Sequence, residues 1–95
     1  MMHYLRIPTK RFEKDLRRLS RSGADLSRLE NIINILVTDE SLPAIYLDHP
    51  LRGALQGTRA CHIGPDWLLR YAKDGKHLLL LLISTGDHRQ VLNVE

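Results

Sequence analysis

A strand, a tight turn and a second strand are predicted by the stretch from Arg59 to Trp67, and this motif restricts what the chain can fold into. Successive side chains of a strand point to opposite faces, so Cys61 and Ile63 share a packing face while His62 lies on the other. Pro65-Asp66 supplies the turn, because proline fixes its own backbone angle and aspartate bonds the following backbone. A carboxylate and an indole are thereby placed close to an imidazole.

The length of the chain, 95 residues, allows one core built from a sheet and a helix pair. Its longest apolar run, Leu78 to Ile83, is far shorter than the roughly 18 to 20 residues of a membrane span, and no apolar signal region is seen at the N-terminus. Cys61 is the only cysteine, which excludes an internal disulfide and fits a reducing compartment. We expect a single cytoplasmic domain over residues 1–95, with no membrane contact.

Positive charge is concentrated in the N-terminal third. Residues 1–24 contain seven Lys or Arg and two Asp or Glu, a net +5, whereas the whole chain carries +3. This distribution favours an anionic partner, either nucleic acid or an acidic protein segment. A solvated helix face explains it equally well, since such faces are often basic for solubility.

The first half of the chain predicts a strand and a helical hairpin. His3 to Pro8 fits a strand at a sheet edge, because it ends at proline. Thr9 is a suitable cap for a helix over Lys10 to Ser20, and Asp25 for a second one. Their apolar stripes are Phe12, Leu16 and Leu19, then Leu26, Leu29, Ile32, Ile33, Leu36 and Val37. These stripes need a sheet to pack against.

The second half predicts an ordered connection followed by a meander. Asp39 to Gln56 has two prolines and no sustained period, but its apolar residues favour packing. Three strands follow, over Thr58 to Ile63, Trp67 to Ala72 and His77 to Ser84, and Asp87 is positioned to cap a final helical turn. The strand containing Leu78 to Ile83 is apolar throughout, which favours a central position. The expected fold class is α+β: an N-terminal strand, a helical hairpin, an antiparallel meander of three strands and a short C-terminal helix.

Five residues from three segments are candidates for a site: His49, His62, Asp66, Trp67 and His88. Cleavage of RNA by its own 2′-hydroxyl needs a base for that hydroxyl, an acid for the leaving 5′-oxygen and positive charge near the phosphate. Histidines and an aspartate supply these without metal or cofactor. Trp67 is a candidate for stacking on an unpaired base.

Other interpretations apply to the same residues. Each histidine, His3 and His77 included, is compatible with a capping, packing or solvent-exposed role, and Trp67 with ordinary core packing. A zinc site formed by His49, His62, Asp66 and His88 is a further alternative, although no local pair such as H-x-x-x-H is present.

Taken in order, four motifs make the chain resemble the YafQ branch of the RelE/ParE superfamily, the toxins of bacterial toxin-antitoxin pairs. The matching segments cover nearly the whole chain: Arg11 to Leu16, Leu42 to Ala44 with Tyr46 to Gly53, Arg59 to Trp67, and Thr85 to His88. The D-H-P-L and P-D-W signatures, the T-G-x-H ending and their spacing are specific in combination.

The resemblance implies a metal-independent, ribosome-dependent endoribonuclease that cuts mRNA and is neutralised by an antitoxin of the DinJ or RelB kind, with operator DNA bound through the antitoxin complex. It implies His88 as general acid, Asp66 or His49 as base, His62 as phosphate ligand and as the residue that orients the base, and Trp67 as RNA contact. Further RNA contacts are expected from the basic residues near these motifs and on the first helix: Arg52, Arg59, Arg89, Lys10, Lys14 and Arg17.

Two positions depart from the family pattern. Members usually carry an arginine immediately before the T-G pair, where this chain has Ser84, and a phenylalanine near the end, where it has Leu92. A serine does not replace a forked, permanently charged donor, so Arg89, Arg52 or Arg70 are candidates to replace it. Two alternatives stay open: a gyrase-poisoning toxin of the ParE type, against which the histidine set argues, and a weakened toxin that mainly binds its antitoxin.

Overall fold

The computed structural model describes residues 3–38 and 40–92. Within them it contains one sheet, three α-helices and two 3-10 helices. In chain order the elements are β1 (Leu5–Pro8), α1 (Lys10–Arg21), α2 (Leu26–Leu36), a 3-10 helix (Ala44–Tyr46), β2 (His49–Pro50), a 3-10 helix (Gly53–Leu55), β3 (Arg59–Gly64), β4 (Trp67–Asp74), β5 (Leu79–Gly86) and α3 (His88–Leu92). The predicted α+β class and order of elements are confirmed.

The strands form a single sheet in the order β1-β5-β4-β3-β2. β1 pairs with β5 in parallel, and the other neighbours are antiparallel. The predicted edge position of β1 and interior position of β5 are therefore confirmed. β2 was not predicted, because it is only two residues long and contains a proline, and residues 51–58 separate it from its partner β3.

The predicted caps of α1 and α2 are both present. The Thr9 side chain accepts a hydrogen bond from the Phe12 N–H at 3.0 Å, and the Asp25 carboxylate accepts one from the Ser27 N–H at 3.1 Å. Each cap satisfies a backbone donor that a helix leaves unpaired at its start. The two helix starts are thus determined locally, by residues that the sequence pattern identifies.

One face of the sheet carries the main core. α2 contributes four buried residues and α1 contributes Phe12. They pack against alternate residues of the strands: Cys61, Ile63, Leu69, Tyr71, Leu80 and Leu82. Because these strand residues alternate with the others, the opposite face of β3 and β4 is left for His62 and its neighbours.

α1 completes the sheet edge where β1 ends. β5 extends past its pairing with Pro8, so its last residues have no strand on that side. Side chains bond the backbone of β5 there instead. The Thr9 hydroxyl donates to the Ile83 carbonyl at 2.7 Å, and the Asp15 carboxylate accepts from the Thr85 N–H at 3.1 Å. Arg18 donates to the Thr85 carbonyl at 3.0 Å and to Asp15 at 2.7 Å. Part of the basic helix therefore has a structural role.

β5 begins two residues later than the pattern predicts. The Asp74 carboxylate accepts hydrogen bonds from the backbone N–H groups of Lys76 and His77, at 3.0 and 3.1 Å. Leu78 then takes a left-handed conformation with φ of 55°. The turn thus extends further along the chain than the Lys73 to Lys76 hairpin expected from sequence.

Cys61 is fully buried, and burial raises the pKa of its thiol to about 12. Since the thiolate is the reactive form, we expect the native protein to react with a thiol-specific disulfide reagent at pH 8 at least about 10³-fold more slowly than the urea-unfolded chain. Absorbance of the released thiolate measures both rates. Equal rates would show that β3 is not packed as described.

Candidate active site

The sheet register places His49 of β2, Ala60 of β3, Arg70 of β4 and Ser84 of β5 side by side in one row. His62 lies two residues along β3 from Ala60, on the same face. This face is opposite the one on which α2 packs. α3 packs against β4 and β5 and begins with His88.

Asp66 and His88 form a pair that joins the turn between β3 and β4 to the start of α3. The Asp66 carboxylate is 2.6 Å from His88 Nδ1 and accepts the His88 backbone N–H at 3.1 Å. These hydrogen bonds lower the pKa of Asp66. An ionised Asp66 therefore fixes the His88 ring with Nδ1 towards the carboxylate, and Nε2 points away from it.

His62 has histidine neighbours on two sides. Its ring centroid is 5.5 Å from that of His88 in an edge-on arrangement, and 6.4 Å from that of His49. The pKa of His62 is lowered by burial and by the positive charges that His88 and His49 acquire on protonation. His62 is consequently neutral at pH 7, between two groups that are available for proton transfer.

His49 is held by a backbone contact. Its Nδ1 lies 2.7 Å from the Leu47 carbonyl oxygen. Because a carbonyl only accepts hydrogen bonds, Nδ1 carries the proton and Nε2 of the neutral ring has a free lone pair. Leu47 itself has a left-handed backbone with φ of 51°, which bends the chain into β2.

Asp48 anchors the loop that carries His49. The Tyr71 hydroxyl donates to its carboxylate at 2.7 Å, and Arg59 donates twice at 3.3 Å. Burial and the Asp48 carboxylate raise the pKa of Tyr71, so Tyr71 stays a donor. No sequence pattern predicts this role for Asp48, since its partners lie 11 and 23 residues away and leave no local signal.

Replacing Tyr71 with Phe removes one hydrogen bond to a carboxylate and leaves the ring in place. We expect the free energy of unfolding to fall by about 1.5 to 3 kcal/mol, the range for a hydrogen bond to a charged group. Urea unfolding followed by circular dichroism measures this. Tyr46→Phe is the matched control, because Tyr46 is only partly buried against the core, and we expect a change within about 0.5 kcal/mol. Equal values for the two variants would contradict the anchoring role.

Trp67 and Arg59 lie on the other side of the sheet from His62. The Trp67 indole packs against the main core and donates to the Thr85 hydroxyl at 2.9 Å, and Arg59 is paired with Asp48. Neither side chain lies beside the histidines. Trp67 is two residues from Leu69, and Arg59 is two residues from Cys61. Residues two apart on a strand share a face, so this spacing was the available signal that both lie on the core side.

The remaining predicted RNA contacts are exposed. Arg52 follows β2 and Arg89 follows His88, while the other three lie on α1: Lys10, Lys14 and Arg17. α1 is tied directly to α3, since Arg11 donates to the Gln90 carbonyl and Arg18 to the Gln90 side chain at 3.3 Å. The basic surface of α1 is therefore adjacent to the helix that begins at His88.

Ser84 is fully buried, and among the described residues its hydroxyl has no hydrogen-bond partner. No group of three or more His, Cys, Asp or Glu side chains within residues 3–38 and 40–92 is arranged to hold a metal ion. Over the same residues, no helix is long and apolar enough to cross a membrane.

Comparison with known proteins identifies relatives of the whole fold. The chain is 36% identical over 78 residues to the mRNA interferase toxin YafQ of Escherichia coli strain K12, which covers 81% of this chain and 83% of that protein. Its structure matches YafQ in the E. coli DinJ-YafQ toxin-antitoxin complex with a TM-score of 0.85, at 30% identity over 95% of this chain and 98% of the other. It also matches a metal-bound toxin from Helicobacter pylori with a TM-score of 0.85, at 37% identity over 95% and 99% of the two chains.

The family model described as the bacterial toxin of type II toxin-antitoxin system, YafQ, matches residues 5–93. This match spans all the elements from β1 to α3, and it confirms the resemblance inferred from the sequence motifs. The chain therefore belongs to the YafQ family of bacterial type II toxins.

Proposed function

We propose that this protein is a toxin that cleaves mRNA on the ribosome, by attack of the RNA 2′-hydroxyl on the adjacent phosphate. The Asp66–His88 pair, with the His62 ring beside it, is the observation that carries the proposal. The relatives named mRNA interferase support it, because they share the fold over nearly the whole chain.

The geometry favours His49 as the base and His88 as the acid. His49 Nε2 takes the proton of the 2′-hydroxyl, whose oxygen forms a bond to phosphorus. The bond from phosphorus to the 5′-oxygen breaks, and protonated His88 gives its Nε2 proton to that oxygen. The products are a 2′,3′-cyclic phosphate and a 5′-hydroxyl end, so no water or cofactor is consumed in the step.

Asp66 is assigned as a positioning residue. Its Oδ1 accepts from both the backbone and the ring of His88, which holds the imidazole in one orientation with Nε2 directed away from the carboxylate. The His62 ring lies between those of His49 and His88, and this position supports a role in hydrogen bonding to the phosphate.

An experiment with purified protein and ribosomes carrying a defined mRNA tests this function. We expect cleavage that requires the ribosome and leaves 2′,3′-cyclic phosphate ends, detected by mapping and by end-specific enzymes. Intact mRNA together with inhibited DNA gyrase would contradict the proposal in favour of the ParE-type alternative. Intact mRNA with tight antitoxin binding would indicate a toxin that has lost catalysis.

The partners follow from the same proposal. Lys10, Lys14 and Arg17, exposed on the first part of α1, supply contacts to ribosomal RNA and mRNA phosphates, so binding weakens as salt rises. The E. coli relative forms a complex with DinJ, and we propose a comparable antitoxin for this chain, with operator DNA bound through the complex. The site of action is then the cytoplasm, where translating ribosomes are found.

The lowered pKa of His62 predicts a pH effect on stability. The unfolded chain protonates this histidine near its ordinary pKa of 6.5, and the folded protein only at lower pH. The free energy of unfolding therefore rises with pH across that interval and is smallest below it. We expect urea unfolding at pH 5 and pH 7.5 to show a larger difference for the parent than for His62→Gln. The same difference for both proteins would show that His62 is not desolvated by its neighbours.

A further inference from the structure

Arg70 lies in the middle of the row that contains His49. Its neighbours across the strands are Ala60 of β3 and Ser84 of β5, and Ala60 in turn faces His49. Both cross-strand neighbours are small and fully buried. At a strand spacing of about 4.8 Å, the Arg70 backbone is about 10 Å from that of His49, within reach of a long side chain.

The Arg70 side chain is held in a defined position. It is half-buried, and its Nε–H donates to the Thr58 hydroxyl at 3.1 Å. That hydroxyl donates to the Leu55 carbonyl at 2.6 Å, so it is held in place while it accepts the bond from Arg70. A guanidinium has five donors, and this bond uses the one on Nε.

No carboxylate compensates this charge within residues 3–38 and 40–92. The ion pairs of the other arginines in this part of the chain use Glu30, Asp15 and Asp48. Burial and the nearby Arg11 lower the pKa of Arg70. A cation that is partly removed from water beside another cation costs stability, unless an anion binds there.

We propose that Arg70 binds a non-bridging oxygen of the scissile RNA phosphate and stabilises the negative charge that develops during cleavage. The inference rests on the proposed endoribonuclease function. The row geometry supplies the position, and the uncompensated, oriented guanidinium supplies the chemistry that recognises a phosphate. Arg70 thus provides a fixed positive charge on β4. Its partner across the strands, Ser84 of β5, is buried and uncharged.

Single-turnover mRNA cleavage by ribosome-bound protein tests the inference with Arg70→Met. We expect the cleavage rate to fall by about 10² to 10³-fold, the loss typical of removing one donor to a developing charge. The urea midpoint should stay the same or rise, because the variant no longer holds a partly desolvated cation. Arg70→Gln repeats the test with a polar side chain and should show a similar loss.

Arg21→Met is the matched control, since Arg21 is an exposed arginine at the far end of α1, and its rate should stay within twofold of the parent. A folded Arg70→Met or Arg70→Gln protein that cleaves at the parent rate, while His88→Ala does not, would overturn the inference and leave the proposed function standing. Activity lost only in proportion to folded protein would also overturn it, by assigning Arg70 a structural role. If the parent protein does not cleave mRNA at all, both the proposed function and this inference are wrong.

Discussion

His88→Ala is expected to lower the rate of mRNA cleavage by about 10² to 10⁴-fold, the range for loss of a positioned general acid. His88 Nδ1 is bonded to Asp66 at 2.6 Å, which leaves Nε2 as its proton donor. Folding and ribosome binding should be retained, because the side chain is 44% exposed and does not belong to the main core. Single-turnover cleavage on programmed ribosomes measures the rate.

His77→Ala is a close structural control for this prediction. His77 pairs with Asp74 at 2.7 Å across a turn, much as His88 pairs with Asp66, but it lies at the opposite end of β4. We expect its cleavage rate to be unchanged. An equal loss in the two variants would mean that the Asp66–His88 pair has no special part in the reaction.

Asp15→Ala is expected to cause the largest loss of stability, about 2 to 4 kcal/mol. Asp15 is only 6% exposed and accepts from both Arg18 and the Thr85 backbone. Its removal leaves the Thr85 N–H without its partner and Arg18 without its carboxylate. Because Arg18 remains 38% exposed and water reaches it, the loss should be smaller than for a fully buried pair. Urea unfolding measures the difference.

Glu13→Ala is the control on the same helix, since Glu13 is acidic but exposed. We expect its free energy of unfolding to change by no more than about 0.5 kcal/mol. Similar losses for both variants would contradict the role of α1 in completing the edge of β5, because Asp15 bonds that edge and Glu13 is exposed.

Much of the fold was predictable because local signals determine it. The apolar periods of α1 and α2 and the caps Thr9 and Asp25 mark the helices. Two-residue alternation marks β3, and an uninterrupted apolar run marks β5. β2 was not predictable, since two residues carry no period. The contact of α1 with the exposed edge of β5 also leaves no pattern, because Asp15 and Thr85 are 70 residues apart.

The candidate site was predictable as a set of residue types but not as a geometry. The motifs identify His49, His62, Asp66 and His88, and the structure brings these four together. The pairing of Asp66 with His88, rather than with His49 or His62, depends on how α3 packs. The alignment of Arg70 with Ser84 depends on a register shift between β4 and β5, which sequence does not reveal.

The central claim is that His88 protonates the leaving 5′-oxygen, and an mRNA with sulfur in place of that bridging oxygen tests it directly. A thiolate leaves without protonation, so the general acid is no longer needed. Single-turnover cleavage of this substrate on the ribosome should be nearly as fast with His88→Ala as with the parent protein. A His88→Ala defect of the same 10² to 10⁴-fold size on both substrates would contradict the assignment.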